Sequence, residues 1–239
     1  MAPSRPANEP LRLRGTPGQL TGFVPLPQLS EVPLPVDLEF ANIAQPEVTL
    51  QETEGAARLT LSVAHTTPPG TYEGKVRVGD QEHPLILEVE PRVRLRVDPR
   101  RLHFEAAPGA TREADLLITN LGNVAREIRG VDAFGLFDTG GLDRAIGRAF
   151  AAEPPKGERR LDVIADAAAE GFGGLVRIKV ESGAGELVPG ESRNVHLTLA
   201  LPEGIEEGRQ YWGTWTLYNV NYVVRVDVTT AKPKRRAAR

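Results

Sequence analysis

Four histidines, His65, His83, His103 and His196, and five aspartates, Asp132, Asp138, Asp143, Asp162 and Asp166, are side chains of this sequence that could hold a metal or move a proton. A metal needs imidazoles that converge, two apart on a strand or four apart on a helix, and these histidines have neither spacing. The aspartates follow no calcium-loop pattern and read as caps and turns. No serine sits in a GxSxG elbow, and neither a GxxxxGK(S/T) nor a GxGxxG phosphate cradle occurs. Cysteine is absent, which removes disulfides, thiolate metal sites and sulfur nucleophiles together. The expectation is a protein that is not an enzyme and uses no metal or cofactor.

Binding chemistry remains, in two forms. In the stretch 210–229, Tyr211 and Trp215 share the parity of a buried face, Trp212 points the other way and Tyr218 sits at a turn. An outward Trp beside a turn Tyr supplies large rigid area for a protein partner or a sugar ring; the competing reading has the rest of the chain cover them. The second form is cationic. Arg92, Arg94 and Arg96 alternate along one strand, and the tail adds Lys234, Arg235 and Arg236. Arg94 and Arg96 could meet phosphate or acidic protein, or could be a solvated face guarding a sheet edge. The tail reads as an anchor for an anionic partner. A net charge of −3, with no aromatic platform among the arginines, argues against a dedicated nucleic-acid binder.

The elements that must position these groups are strands. Stretch 210–229 reads as a hairpin: Tyr211, Trp215 and Leu217 alternate on one side of Tyr218-Asn219, and Val220, Tyr222, Val224, Val226 and Val228 alternate on the other. A near copy lies 139 positions upstream, where Tyr72-Glu73-Gly74 falls on Tyr211-Trp212-Gly213 and Val76, Val78, Leu85, Leu87 and Val89 fall on Trp215, Leu217, Val224, Val226 and Val228. Leu59, Leu61 and Val63 likewise match Val195, Leu197 and Leu199. Two versions of one β unit are the simplest account. The 24 glycines and 20 prolines, spread between short apolar runs, have the all-β pattern.

Residues 1–18, rich in Pro, Arg and Gly, are expected as a disordered arm, 19–91 as a first sandwich, 92–230 as a second and 231–239 as a basic tail. Pro25, Pro27, Pro33 and Pro35 confine their stretch to edge strands or an extended arm. The second sandwich carries an insertion at 132–174, with helices expected over 141–150 and 159–170 and Gly171 as the stop. That insertion is either a lid or a grafted functional element.

The stretch DPRRLHFEAAPGATREADLLITNLGNVAREIRGV resembles bacterial immunoglobulin-like domains of the ASH, MSP and NEW3 type, with their Asp-Pro and Pro-Gly turns and a strand ending in TNxGN. LVPGESRNVHLTLALPEGIEEGRQYWGTWTL is similar to their closing half, and PPGTYEGKVRVGDQEHPLILEVEP is a shorter form of it. The resemblance implies two tandem immunoglobulin-like β-sandwiches, the second with a partly helical insertion. The expected role is a structural or accessory subunit of a larger bacterial assembly, acting through protein-protein contacts. The alternative is an extracytoplasmic module that binds carbohydrate or a surface polymer. No stretch is long and apolar enough for a transmembrane helix. A native Met1 would favour the cytoplasm, and a removed signal peptide the exterior.

Overall fold

A computed structural model describes residues 10–25, 36–53, 56–78, 81–151, 153, 156–157, 159–218 and 220–230. The chain divides into two compact units: Met1–Arg94 with Asn120–Arg126 and Val188–Glu191, and Leu95–Thr119 with Glu127–Leu187 and Ser192–Arg239.

The first unit is built from β1 (Leu11–Gly15), β2 (Gln19–Pro25), β3 (Val36–Phe40), β4 (Glu47–Thr53), β5 (Ala56–Ser62), β6 (Gly70–Val78) and β7 (Gln81–Val89). They form two sheets, ordered β1-β7-β6-β3 and β2-β5-β4. Alternation explains the layering: Leu59 and Leu61 of β5, Val76 and Val78 of β6, and Leu85, Leu87 and Val89 of β7 point inward into one core, while their neighbours meet water.

The expectation of a disordered arm over 1–18 is corrected for its second half. Leu11 and Leu13 are buried, and β1 pairs in parallel with β7. Arg12 and Arg14 reach Glu88 on the adjacent strand, and Arg14 also donates to Glu90. The Pro and Gly that suggested disorder bracket a short strand whose alternation is apolar in and cationic out. Residues 1–9, the prolines at 27, 33 and 35, and the tail 231–239 lie outside the described residues.

The second unit contains β8 (Leu95–Asp98), β9 (Arg101–Ala106), β10 (Thr111–Asn120), β11 (Arg126–Ile128), β12 (Val131–Asp138), β13 (Phe172–Ser182), β14 (Gly185–Leu187), β15 (Ser192–Ala200), β16 (Gln210–Leu217) and β17 (Val220–Val228). Their order is β8-β10-β15-β13-β12-β16-β17-β9, with β11 and β14 paired apart. Leu116, Val195 and Leu197 from one half of that order share a core with Trp215, Val224 and Val226 from the other, so the sheet folds over into a sandwich.

The duplication holds in three dimensions. Tyr72 stands opposite Leu87 and Gly74 opposite Leu85; Tyr211 stands opposite Val226 and Gly213 opposite Val224, at the same offset. Val76 and Trp215, and Leu87 and Val226, are buried alike.

The helices α1 (Gly141–Ala151) and α2 (Arg160–Glu170) connect β12 to β13. Asp162 accepts the Arg159 backbone N–H at 3.0 Å, and the Gly171 N–H closes the last turn on the Ala168 carbonyl at 3.1 Å. One expectation changes here. Val131–Asp138 is a core strand and not insertion, because Phe134 and Leu136 alternate inward. The helix α2 packs on α1, buries no residue and leaves Leu161 facing solvent. No helix among the described residues is long and apolar enough to cross a membrane.

Candidate protein-docking face

Each closing hairpin begins on a tyrosine that ties its strand to the preceding corner. The Tyr72 hydroxyl donates to the Pro68 carbonyl at 2.8 Å, and the Tyr211 hydroxyl accepts the Glu206 N–H at 3.2 Å. A Tyr at the start of this strand, bonded to backbone a few residues upstream, is the tyrosine corner of immunoglobulin-like sandwiches. In antibody domains a disulfide cysteine follows two residues later; here Gly74 and Gly213 occupy that place. A Cβ on Gly74 would lie 2.5 Å from the Glu39 carbonyl oxygen and 2.6 Å from the Phe40 ring. One on Gly213 would lie 2.4 Å from the Gly135 carbonyl oxygen and 2.6 Å from the Phe134 ring. The Tyr-x-Gly pattern thus serves a corner and a close strand approach, roles that the spacing alone did not reveal.

With Tyr211 and Trp215 inward, Trp212 must face outward. It is 45% exposed, and the insertion leaves it open. In the register Trp212 stands opposite Phe137 of β12, which stands opposite Phe172 of β13; on its other side are Arg225 of β17 and then His103 of β9. A single row across five strands therefore runs His103, Arg225, Trp212, Phe137, Phe172. Phe137 and Phe172 are exposed, with ring centroids 5.3 Å apart and tilted by 47°. Gly135 lies beneath the pair, its missing Cβ 3.0 Å from the Phe172 ring. Leu175 and Val223 in the next row are exposed as well. Phe137 and Phe172 escaped the sequence reading because both were assigned to the insertion; the alternation of Phe134 and Leu136 was the signal that could have found them.

The cationic end of the row is braced. The Asp227 carboxylate receives His103 at 2.6 Å, Gln210 at 2.7 Å and Arg225 at 3.3 Å. Burial alone would raise its pKa, yet these three hydrogen bonds outweigh burial and hold it below the usual carboxylate range. Arg101 and Arg177, exposed on flanking rows, have no ion-pair partner among the described residues.

The remaining expected site residues are not gathered with Trp212. Tyr218 is six residues further along, about 20 Å at strand rise. It adopts φ 54°, the residue is 45% exposed, and its hydroxyl donates to the Glu127 carbonyl at 2.9 Å and accepts the Glu127 N–H at 3.0 Å. That side chain pins a neighbouring segment. Arg94 is exposed, and Arg96 pairs with Asp98 at 2.7 Å. Arg92, expected to face outward with them, is half-buried and donates to the Pro17 carbonyl at 2.9 Å. Lys234, Arg235 and Arg236 lie outside the described residues. Two of the aspartates considered for calcium serve the frame: Asp132 receives Trp215 Nε1 at 2.9 Å and Arg129 at 2.7 Å, and buried Asp138 receives Arg209 at 3.3 Å. Among the described residues no three His, Asp or Glu side chains converge as metal ligands.

The strand orders reproduce the immunoglobulin-like arrangement: one layer of β8, β10, β15 and β13, the other of β12, β16, β17 and β9, with a reduced form in the first unit. With a tyrosine corner in each unit, the chain is a tandem of immunoglobulin-like β-sandwiches. No protein-family model matches it, and no curated protein does. Among solved structures it is similar to the I9-I11 tandem from titin, at 8% identity and TM-score 0.26, covering 93% of this chain and 65% of that one. It is also similar to the titin I-band fragment I67-I69, at 10% identity and TM-score 0.35, covering 92% and 63%. A third is Dpr11 IG1 bound to DIP-gamma IG+IG2, at 12% identity and TM-score 0.32, covering 92% and 96%. The chain thus spans about two thirds of the titin fragments, and at these scores the class rests on strand order and corners, not on the likenesses.

Proposed function

We propose that the protein is a non-enzymatic accessory or structural subunit that docks on another protein through the row Trp212, Phe137, Phe172. Its sequence turns keep the ASH, MSP and NEW3 group as the type of sandwich in this reading. The observation that carries it is internal: the first unit builds the same hairpin with exposed Glu73 at the place of Trp212 and half-buried Ile86 at the place of Arg225. The fold has no need of an aromatic row there, and exposing one costs solubility unless something covers it. A protein surface suits the row better than a sugar chain. The two phenylalanines lean on each other at 47°, so they present one ridge and not separate flat platforms for successive sugar rings.

The test is affinity capture of the full chain from its native source, with cross-linking and mass spectrometry to map contacts. Cross-links should flank β12, β13 and β16. Trp212→Ala should weaken the captured complex by about 2 kcal/mol, roughly thirtyfold, without changing the melting curve. Cross-links elsewhere with Trp212→Ala silent would remove this reading, and saturable quenching of tryptophan fluorescence by oligosaccharides would replace it with the carbohydrate alternative.

A further inference from the structure

On the first closing hairpin the cations of the outward face are answered from within. Lys75 and Arg77 of β6 both reach Glu82 of β7, at 2.7 and 3.5 Å, and Arg77 stands opposite Glu82 in the register. In the second hairpin Thr216 and Asn221 stand opposite each other at those two places, so that carboxylate has no counterpart. The cations of the second face lie instead on the flanking strands. Arg101 of β9 stands opposite Val223, and Arg177 of β13 stands opposite Ala133, both uncharged. Neither arginine has an ion-pair partner among the described residues.

Both lie two strands from Trp212, on opposite sides of it, about 10 Å across the sheet. Between them, next to the indole, is exposed Arg225. It gives Asp227 one N–H at 3.3 Å, and that carboxylate already receives His103 at 2.6 Å and Gln210 at 2.7 Å. A guanidinium carries a planar fork of N–H donors, so most of those on Arg225 are left to water. A partner that covers Trp212 covers this group too. Purely apolar cover would strip its water and return nothing, whereas a carboxylate returns charge-assisted, two-pronged hydrogen bonds.

We infer that the occupant of this face is an acidic protein surface. A large apolar side chain sits on the ridge of Trp212 and Phe137, one Asp or Glu beside it meets Arg225, and others about 10 Å to either side meet Arg101 and Arg177. The inference rests on the docking reading of that row and adds the chemistry of its partner. A second copy of the chain does not fit, because a two-fold contact would lay these arginines near their own copies. A single nucleic-acid strand does not fit either: bases stack on separate ring faces, and the tilted pair Phe137, Phe172 makes one ridge.

The probe is a phage-displayed library of random peptides, selected on the full chain and counter-selected on its Trp212→Ala variant. Enriched peptides should carry an excess of Asp and Glu around a Leu or an aromatic residue. The most enriched one, fluorescein-labelled and read by anisotropy, should lose about tenfold or more in affinity when Arg101→Glu and Arg177→Glu are combined, and as much between about 0.05 and 0.5 M NaCl. Peptides that need Trp212 but lack the acidic excess, or that ignore salt and both arginines, would overturn the inference and leave the docking row standing. If no peptide survives counter-selection, the row and the inference fall together. Saturable binding of a labelled oligothymidylate that Trp212→Ala abolishes would assign the row to nucleic acid and overturn the inference as well. The salt titration uses the wild-type chain, so it decides the matter even where charge reversal disturbs folding.

Discussion

Replacing Gly213 by alanine puts one methyl group where β16 meets β12. Its Cβ would stand 2.4 Å from the Gly135 carbonyl oxygen, whereas ordinary contact begins at 3.4 Å, a shortfall of 1.0 Å. A side chain could rotate away, but a backbone oxygen held in the Phe134–Leu136 segment of a ladder cannot, and the Phe134 ring blocks the other direction at 2.6 Å. Overpacking of this kind costs about 1–3 kcal/mol. Alanine also restricts the unfolded chain, which returns about 0.5–1 kcal/mol. The net expectation is a loss of about 1 kcal/mol and a fall in Tm of about 2–8 °C. Both tryptophans, Trp212 and Trp215, lie on β16, so thermal unfolding followed by their fluorescence reports on this sandwich. Gly130→Ala is the control, because nothing lies within 4 Å of a Cβ there and its φ is not positive; it should be neutral or slightly stabilising. A Gly213→Ala protein that melts with the wild type, or a Gly130→Ala protein that falls as far, would refute the close-approach account of Tyr-x-Gly.

Tyr72→Phe and Tyr211→Phe each remove one corner hydrogen bond and should cost about 1 kcal/mol in urea unfolding, measured as a lower midpoint at unchanged slope. The Tyr222 hydroxyl is buried with no hydrogen-bond partner among the described residues, and burial, helped by the charge of Asp98, pushes its pKa up to about 12. Since the folded value exceeds the ordinary 10.0, stability should decline as pH rises above 10 toward 12, and absorbance titration should show one tyrosine ionising last. His196 is raised above 6.5 by its hydrogen bond to Asp115, which outweighs desolvation, with the charges of Asp115, Glu113 and Glu181 adding to it. Its contribution is whole below the unfolded value and disappears as pH rises through the folded one; Asp115→Asn should lower its midpoint in an NMR titration, and an unmoved midpoint would contradict the pairing.

Much of the frame was legible in the chain. The parity switch at Tyr218-Asn219 marked the hairpin, and the 139-residue repeat marked the duplication, because side-chain burial in a strand has period two and survives divergence of everything outward. The helix stop at Gly171 was legible for a similarly local reason. The strand β1 was not, since a five-residue strand among prolines carries too little pattern to separate from a mobile arm until its partner β7 is seen.

By itself, then, the sequence determined which residues turn inward, where the hairpins reverse and that one unit is a variant of the other, because these follow from local periodicity and turn chemistry. Only the tertiary structure decided what meets across strands. Phe137 and Phe172, separated by 35 positions and two helices, become neighbours of Trp212, while Tyr218, six residues away, does not. Strand pairing sets those distances, and pairing depends on register between segments far apart in the chain, a quantity that no local pattern encodes.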